Sequence, residues 1–204
     1  MNLIPTVLEG HGVHQRAFDL YSRMMVNRIV FLQGEVRAEN MNILIASVLH
    51  LDHEDNTKPI YLYINSNGGN CQDGLALMNT LEICQSPIVT ICTGMAASMG
   101  AMILSDKYSY KPGNKRMILP DARVMIHSVA SGFQGKVQDM RISFKESEMF
   151  QEKLMRRLAT NTGKTYEQIV KDCDRDLYLS AEEALEYGLV DEIVRYKPNP
   201  TPVI

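Results

Sequence analysis

The sequence predicts an α/β fold, on three observations. Short β-branched apolar runs recur at 29–32, 60–64, 88–92 and 124–126, stretches with helical spacing lie between them, and the connections are short. Strands alternating with helices in this way form βαβ crossovers, and therefore a largely parallel sheet covered on both faces.

Each element follows from its pattern. Residues 16–28 carry Ala17, Leu20, Tyr21 and Met24 at helical spacing, and 29–32 then reads as a strand. Helix 41–49, strand 60–64, helix 75–83, strand 88–92, helix 99–104 and strand 124–126 follow in alternation. Residues 137–158 form a different kind of helix: Met140, Phe144, Phe150, Leu154 and Leu158 make a stripe, charged residues crowd the rest, and Gly163 stops it. A helix of about twice the mean length is expected to project from the body and bury its stripe against another subunit. Capping boxes at 165–168 and 180–183 each open a short helix, the second ending at Gly188. A last strand is expected at 189–194, followed by a proline-rich tail.

The chain has 204 residues, a size for one domain with a sizeable core, and it is 45% hydrophobic and 22% charged. A net charge of −3 without a basic cluster argues against nucleic-acid binding driven by phosphate contacts. Residues 87–105 lack charge, yet Thr90, Thr93, Ser98 and two glycines, with no aromatic or basic flanks, argue against a membrane span. The four cysteines form no C-x-x-C pair, and no secretory signal opens the sequence. Reduced thiols in a cytoplasmic compartment are the expectation.

Ser98 is the first candidate for chemistry. It stands at the junction of an expected strand and helix, with Ala96 and Gly100 beside it where a nucleophile elbow carries small residues. The helix behind it would aim unpaired N–H groups at an oxyanion. Close helix packing is the plainer explanation, so a base and an orienting acid are needed. Of the five histidines, His11 and His14 lie in a Gly-containing N-terminal stretch, and His50 and His53 at a charged helix end. Both pairs have H-x-x-H spacing, but neither has a third ligand at fixed position, so no metal is expected. His127 ends the strand 124–126, and the carboxyl ends of parallel strands are where catalytic groups gather. It is the candidate base. Asp172, Asp174 and Asp176 crowd the next turn, and pattern alone leaves the choice of acid open. The 66–70 stretch, with Gly68 and Gly69, follows strand 60–64 and can offer backbone N–H groups at the same sheet edge.

Together these segments resemble the Clp protease family, the ClpP-type proteolytic subunits. The resemblance runs from about residue 4 to 194, in ordered blocks at 61–69, 94–101, 123–127 and 175–191. It implies a ClpP/crotonase-like fold of repeated βαβ units with a projecting long handle helix at about 132–162, an N-terminal axial segment over 1–18, a single protease domain over 19–194 and a flexible tail over 195–204. It implies Ser98 as nucleophile, His127 as base and Asp176 as orienting acid, with Gly69 and Met99 giving the oxyanion N–H groups. Gly132, Phe133, Gln134 and Gly135 match a strand that pairs with substrate. Tyr61 and Tyr63 match an unfoldase-docking pocket, and residues 9–15 a loop gating the axial pore. The family hydrolyses unfolded polypeptides inside two stacked heptameric rings fed by an AAA+ unfoldase of the Clp type, without a cofactor. The chain has no G-x-x-x-x-G-K-[ST] motif, so ATP would be used by a partner.

The chain departs from the family pattern at Asn67, usually proline, at Ser128-Val129, usually Gln-Pro, and at Asp174, usually glutamate. The connection over 106–115 is about four residues longer than usual, expected to enlarge a surface turn. Two other readings stand beside the serine endopeptidase: a non-catalytic structural subunit of mixed rings, and an acyl-CoA enzyme of the crotonase type. The crotonase chemistry has no need of the Ser, His, Asp set.

Overall fold

Ile60, Leu62 and Ile64 are buried to the last percent while Tyr61 between them and Asn65 just after them are exposed, so the strand carrying them has one face in the core. The computed structural model describes residues 3–10, 15–108 and 111–195. Among these the elements are β1 (Thr6–Glu9), β2 (Arg16–Asp19), α1 (Leu20–Val26), β3 (Ile29–Val36), α2 (Ala38–Glu54), β4 (Ile60–Gly69), α3 (Cys71–Ile83), β5 (Ile88–Ala97) and α4 (Met99–Ser105). β6 (Lys115–Ile118), β7 (Arg123–Ile126), α5 (Val137–Thr162), α6 (Tyr166–Asp172), β8 (Leu177–Leu179), α7 (Ala181–Tyr187) and β9 (Glu192–Ile193) complete the order. His11, His14 and most of the 9–15 stretch lie outside the described residues, as does the tail from 196.

The main sheet runs β3-β4-β5-β6-β9, all parallel. β5 splits its second edge between two strands: residues 89–92 pair with β6, and 95–97 pair with β7. β7 in turn pairs antiparallel with β8. The α/β expectation is met, with one correction to the layers. β5 is buried on both faces over 88–92, but β3 and β4 bury only one, leaving Tyr61 exposed and Tyr63 and Phe31 half-buried on the other. Tyr21 packs edge-on to Phe31, and Phe31 against Tyr63.

Several expectations are corrected by contacts distant in sequence. The helix expected over 16–28 begins at Leu20, because Arg16–Asp19 pairs with Thr6–Glu9 and the Asp19 side chain caps Ser22 N. The stretch 66–69, expected as a turn, continues β4, since Gly68 and Gly69 pair with Glu35 and Val36 of β3. The last strand is short, Glu192–Ile193. The longer 106–115 connection is not only a surface turn: Tyr108 is buried with its hydroxyl donating to Ile103 O at 2.7 Å. Asn114 ties the connection down by donating to Tyr108 O and accepting from Ile88 N. Ser180 and Glu183 form the expected reciprocal capping box, whereas Thr165 caps Gln168 N alone because the Gln168 amide donates to Asp172.

Helix α5 has 26 residues, about 39 Å at the usual rise. Its buried residues lie at the C-terminal end, from Leu154 to Asn161, and Arg157 anchors that end to Asp106 at 2.5 Å. Val137, Ile142, Phe144 and Met149 nearer its start are exposed, so the first half of the helix leaves much of its apolar surface open in the single chain. Gly163, at φ +77, closes the helix as the sequence predicts.

Candidate active site

The parallel pairing of β5 with β7 sets Ala97 beside Met125, and so brings the residue after each strand end together. Those residues are Ser98 and, two positions on from Met125, His127. Ser98 occupies φ 52, ψ −122, a conformation that costs a residue with a Cβ on the order of 1–3 kcal/mol. Its surroundings hold it there: Ser98 N donates to Met125 O at 2.9 Å, and Met102 N donates back to Ser98 O at 3.1 Å. This is the geometry of a nucleophile elbow, with the serine aimed off the strand end.

His127 Nε2 lies 2.8 Å from Ser98 Oγ. The antiparallel ladder of β7 with β8 puts Ile126 opposite Leu177, so the residues just beyond, His127 and Asp176, face each other. His127 Nδ1 and Asp176 Oδ1 are 3.6 Å apart, an ion-pair distance longer than a hydrogen bond. The other two aspartates have other partners. Asp172 accepts from the Tyr187 hydroxyl at 2.7 Å and from Gln168 at 2.6 Å, and Asp174 is exposed beside Arg175 at 3.8 Å.

Gly68 explains the need for small residues here. At φ +88, a Cβ on it would stand 2.6 Å from Ala97 O, 2.7 Å from Ser98 Cβ and 2.8 Å from Met99 N. The Gly68 backbone is therefore pressed against the elbow, and Gly69 and Met99 line one cavity with Ser98 and His127. Met99 opens α4, whose first N–H groups have no acceptor within the helix. Gly100 sits close to the neighbouring strand, a Cβ there being 3.0 Å from Ser66 O.

The cavity holds about 230 Å³ and its far walls are apolar, formed by Cys71, Met102, Val129, Leu154, Met155 and Leu158. Sequence reasoning did not find these residues as part of the site. Leu154 and Leu158 read as a packing stripe, and only the docking of α5 on α4 turns that stripe toward Ser98.

The sequence pattern of the Clp protease family matches residues 12–197. The chain is also 43% identical over 196 residues to the ATP-dependent Clp protease proteolytic subunit 1 of Prochlorococcus marinus (strain MIT 9312), covering 96% of this chain and 98% of that protein. The chain belongs to the Clp protease family. It is a serine peptidase of that family, and its α/β architecture is the one the family resemblance implies.

The other residues that the Clp resemblance singles out do not line the cavity beside Ser98. Tyr61 and Tyr63 are near the start of β4, about 26 Å and about 20 Å along the strand from Gly69, on the face the sheet leaves open. Residues Gly132 to Gly135 are exposed and carry no strand in the single chain; Phe133 packs edge-on to Phe144 of α5 at 6.1 Å. His50 and His53 are exposed on α2, and among the described residues no three His, Cys, Asp or Glu side chains gather to hold a metal. No helix among the described residues is long and apolar enough to cross a membrane.

Proposed function

We propose that this Clp-family peptidase cleaves peptide bonds through Ser98, His127 and Asp176. The observation that carries the reading is the 2.8 Å contact of His127 Nε2 with Ser98 Oγ at a strained strand-to-helix elbow. His127 takes the Ser98 proton as Oγ attacks the peptide carbonyl, and the resulting oxyanion is held by the Gly69 and Met99 N–H groups. His127 then gives the proton to the leaving amine, the C–N bond breaks, and an acyl-serine remains. Water, deprotonated by the same imidazole, adds to that ester and releases the acid, restoring Ser98. Asp176 holds the ring so that Nε2 faces the serine. The apolar cavity beside Ser98 suits an aliphatic side chain on the residue whose carbonyl is attacked.

The working form is two stacked heptameric rings, with residues 19–194 as the protease unit of each subunit and the exposed half of α5 buried between rings. Unfolded polypeptides are the substrates, lying extended along residues Gly132 to Gly135. An AAA+ unfoldase of the Clp type docks on the open sheet face at Tyr61 and Tyr63 and supplies the ATP hydrolysis. Four free cysteines fit a reducing cytoplasm. The exposed apolar residues Val137, Ile142, Phe144 and Met149 support the assembly.

A fluorophosphonate added to the purified protein tests the chemistry. The expected result is one modified residue, Ser98, with labelling and peptide cleavage both lost in Ser98→Ala while the sedimentation of the assembly is unchanged. An assembled protein that takes no label and cleaves nothing would instead be a structural ring subunit.

A further inference from the structure

We infer that Gln151 of α5 is a positioning residue that sets the width of the apolar pocket beside Ser98, and so helps select the side chain whose carbonyl is attacked. Resting on the assignment of Ser98 as nucleophile, the inference adds a residue that lies outside the triad and outside the oxyanion loop.

Ser128, Val129 and Ala130 form one wall of the cavity, although none of them belongs to a helix or strand. Such a wall needs fastening, because backbone without a ladder or helix around it is free to shift. Two hydrogen bonds fasten it from opposite sides. Ser128 N donates to Cys173 O at 2.8 Å, tying the wall to the turn that carries Asp176. Val129 N donates to Gln151 Oε1 at 2.6 Å, tying it to the long helix.

The second bond is the one that spans the pocket. Leu154, Met155 and Leu158 make the opposite wall, and Gln151 lies three and four residues before the first two, on the same side of α5. One side chain therefore fixes the separation of two walls carried by segments 22 residues apart. The bond needs a backbone N–H at residue 129, which a proline there would not have to give. Val129 and Gln151 are both partly buried, where an unpaired N–H is costly. Gln151 touches neither His127 nor Ser98 among the contacts described, so its loss acts on how the pocket grips a side chain.

The test uses the full-length assembled protein and two peptides that differ only in leucine or alanine at the residue before the scissile bond. Gln151→Leu keeps the bulk and removes the acceptor; it is expected to raise KM for the leucine peptide by about 3- to 10-fold, the worth of one such hydrogen bond, and to narrow the leucine preference with kcat within about twofold. Gln151→Glu keeps an acceptor and is expected to restore wild-type KM. In a Val129→Pro background, where the donor is gone, Gln151→Leu is expected to add nothing. Unchanged KM in Gln151→Leu, a fall in kcat at constant KM, or an equal effect of Gln151→Leu with and without Val129→Pro would each overturn the inference. Fluorophosphonate labelling of wild-type Ser98 separates the two levels: an unlabelled serine removes the nucleophile assignment, whereas a labelled serine with an indifferent Gln151 removes only the role given to the glutamine.

Discussion

Asp176 Oδ1 stands 3.6 Å from His127 Nδ1, while the opposite nitrogen of the ring is 2.8 Å from Ser98 Oγ. The Ser98–His127 contact is thus formed in the single chain, and the His127–Asp176 contact is the looser of the two. An Asp176 carboxylate that is 57% exposed is free to close that gap when His127 gains a proton in the proposed reaction. Asp176→Asn is expected to lower kcat by about 10²- to 10⁴-fold with KM little changed, because the amide can favour the wrong imidazole tautomer. Steady-state kinetics on a short peptide measures it, and a loss below tenfold would remove Asp176 as the orienting acid.

Gly68→Ala is expected to damage the site more than the fold. The added methyl meets two backbone atoms and Ser98 Cβ at 2.6–2.8 Å, and φ +88 is itself unfavourable for alanine. Either the oxyanion backbone or the elbow must move by a few tenths of an ångström or more. Loss of one oxyanion donor costs about 10²- to 10³-fold in kcat, and the same range is expected here, with far-ultraviolet circular dichroism unchanged. Wild-type kcat in the variant would show that Gly68 does not position the donors.

Asp191→Asn is expected to destabilise the protein in a pH-dependent way. Arg116 is buried at 5% exposure and bonds to Asp191 as well as to Ser105 O, Asn161 O and Gly188 O. Burial pushes the Asp191 carboxyl up, but the Arg116 hydrogen bonds and charge outweigh it and hold the group below the usual carboxylate value. A lowered folded-state pKa stabilises the fold above the unfolded value and loses that contribution as pH falls through the folded one. Asp191 is 46% exposed, so the effect is discounted for solvent screening to about 1–2 kcal/mol near pH 7. In thermal melts the gap between wild type and variant should be full above the ordinary carboxylate range and shrink as the pH falls through and below it. A gap that widens on acidification would contradict the assignment.

Three cysteines should resist alkylation until the protein unfolds. Burial pushes the Cys84 thiol up to about 11, and the Cys92 and Cys173 thiols up to about 12. At pH 8 their thiolate fractions are then on the order of 10⁻³ to 10⁻⁴. Iodoacetamide at pH 8 should leave all three unmodified in the native protein and label them in urea, while Cys71, half-buried at the cavity, reacts slowly. Mass spectrometry of tryptic peptides distinguishes the sites, and rapid native labelling of Cys173 would show that the turn before Asp176 opens.

The elements most readily read from the sequence were those whose burial pattern is local. β5 is a continuous apolar run, α2 repeats Met41, Leu44, Val48 and Leu51 at helical spacing, and α5 announces its end with Gly163. β1, β2, β6 and β8 were not legible, since each has only three or four residues and exists through its pairing partner. Arg16–Asp19 shows the competition directly: its spacing suits a helix, and the ladder with Thr6–Glu9 overrides it. Gly68 and Gly69 likewise look like a turn and become strand through pairing with Glu35 and Val36.

By itself the sequence determined the alternation of strands and helices, the serine among small residues at a strand end, and the histidine at another strand end. These are written in nearest-neighbour chemistry: side-chain branching, size and spacing. Tertiary structure decided which groups meet. The β5–β7 register brings Ser98 to His127, and the β7–β8 ladder sets Asp176 opposite the ring while Tyr187 and Gln168 take up Asp172. The apolar pocket and the Val129–Gln151 bond arise from α5 folding back onto α4 and the 128–130 wall. Contacts of this kind join residues tens of positions apart, and the pattern of any one segment carries no trace of the partner that packing assigns to it.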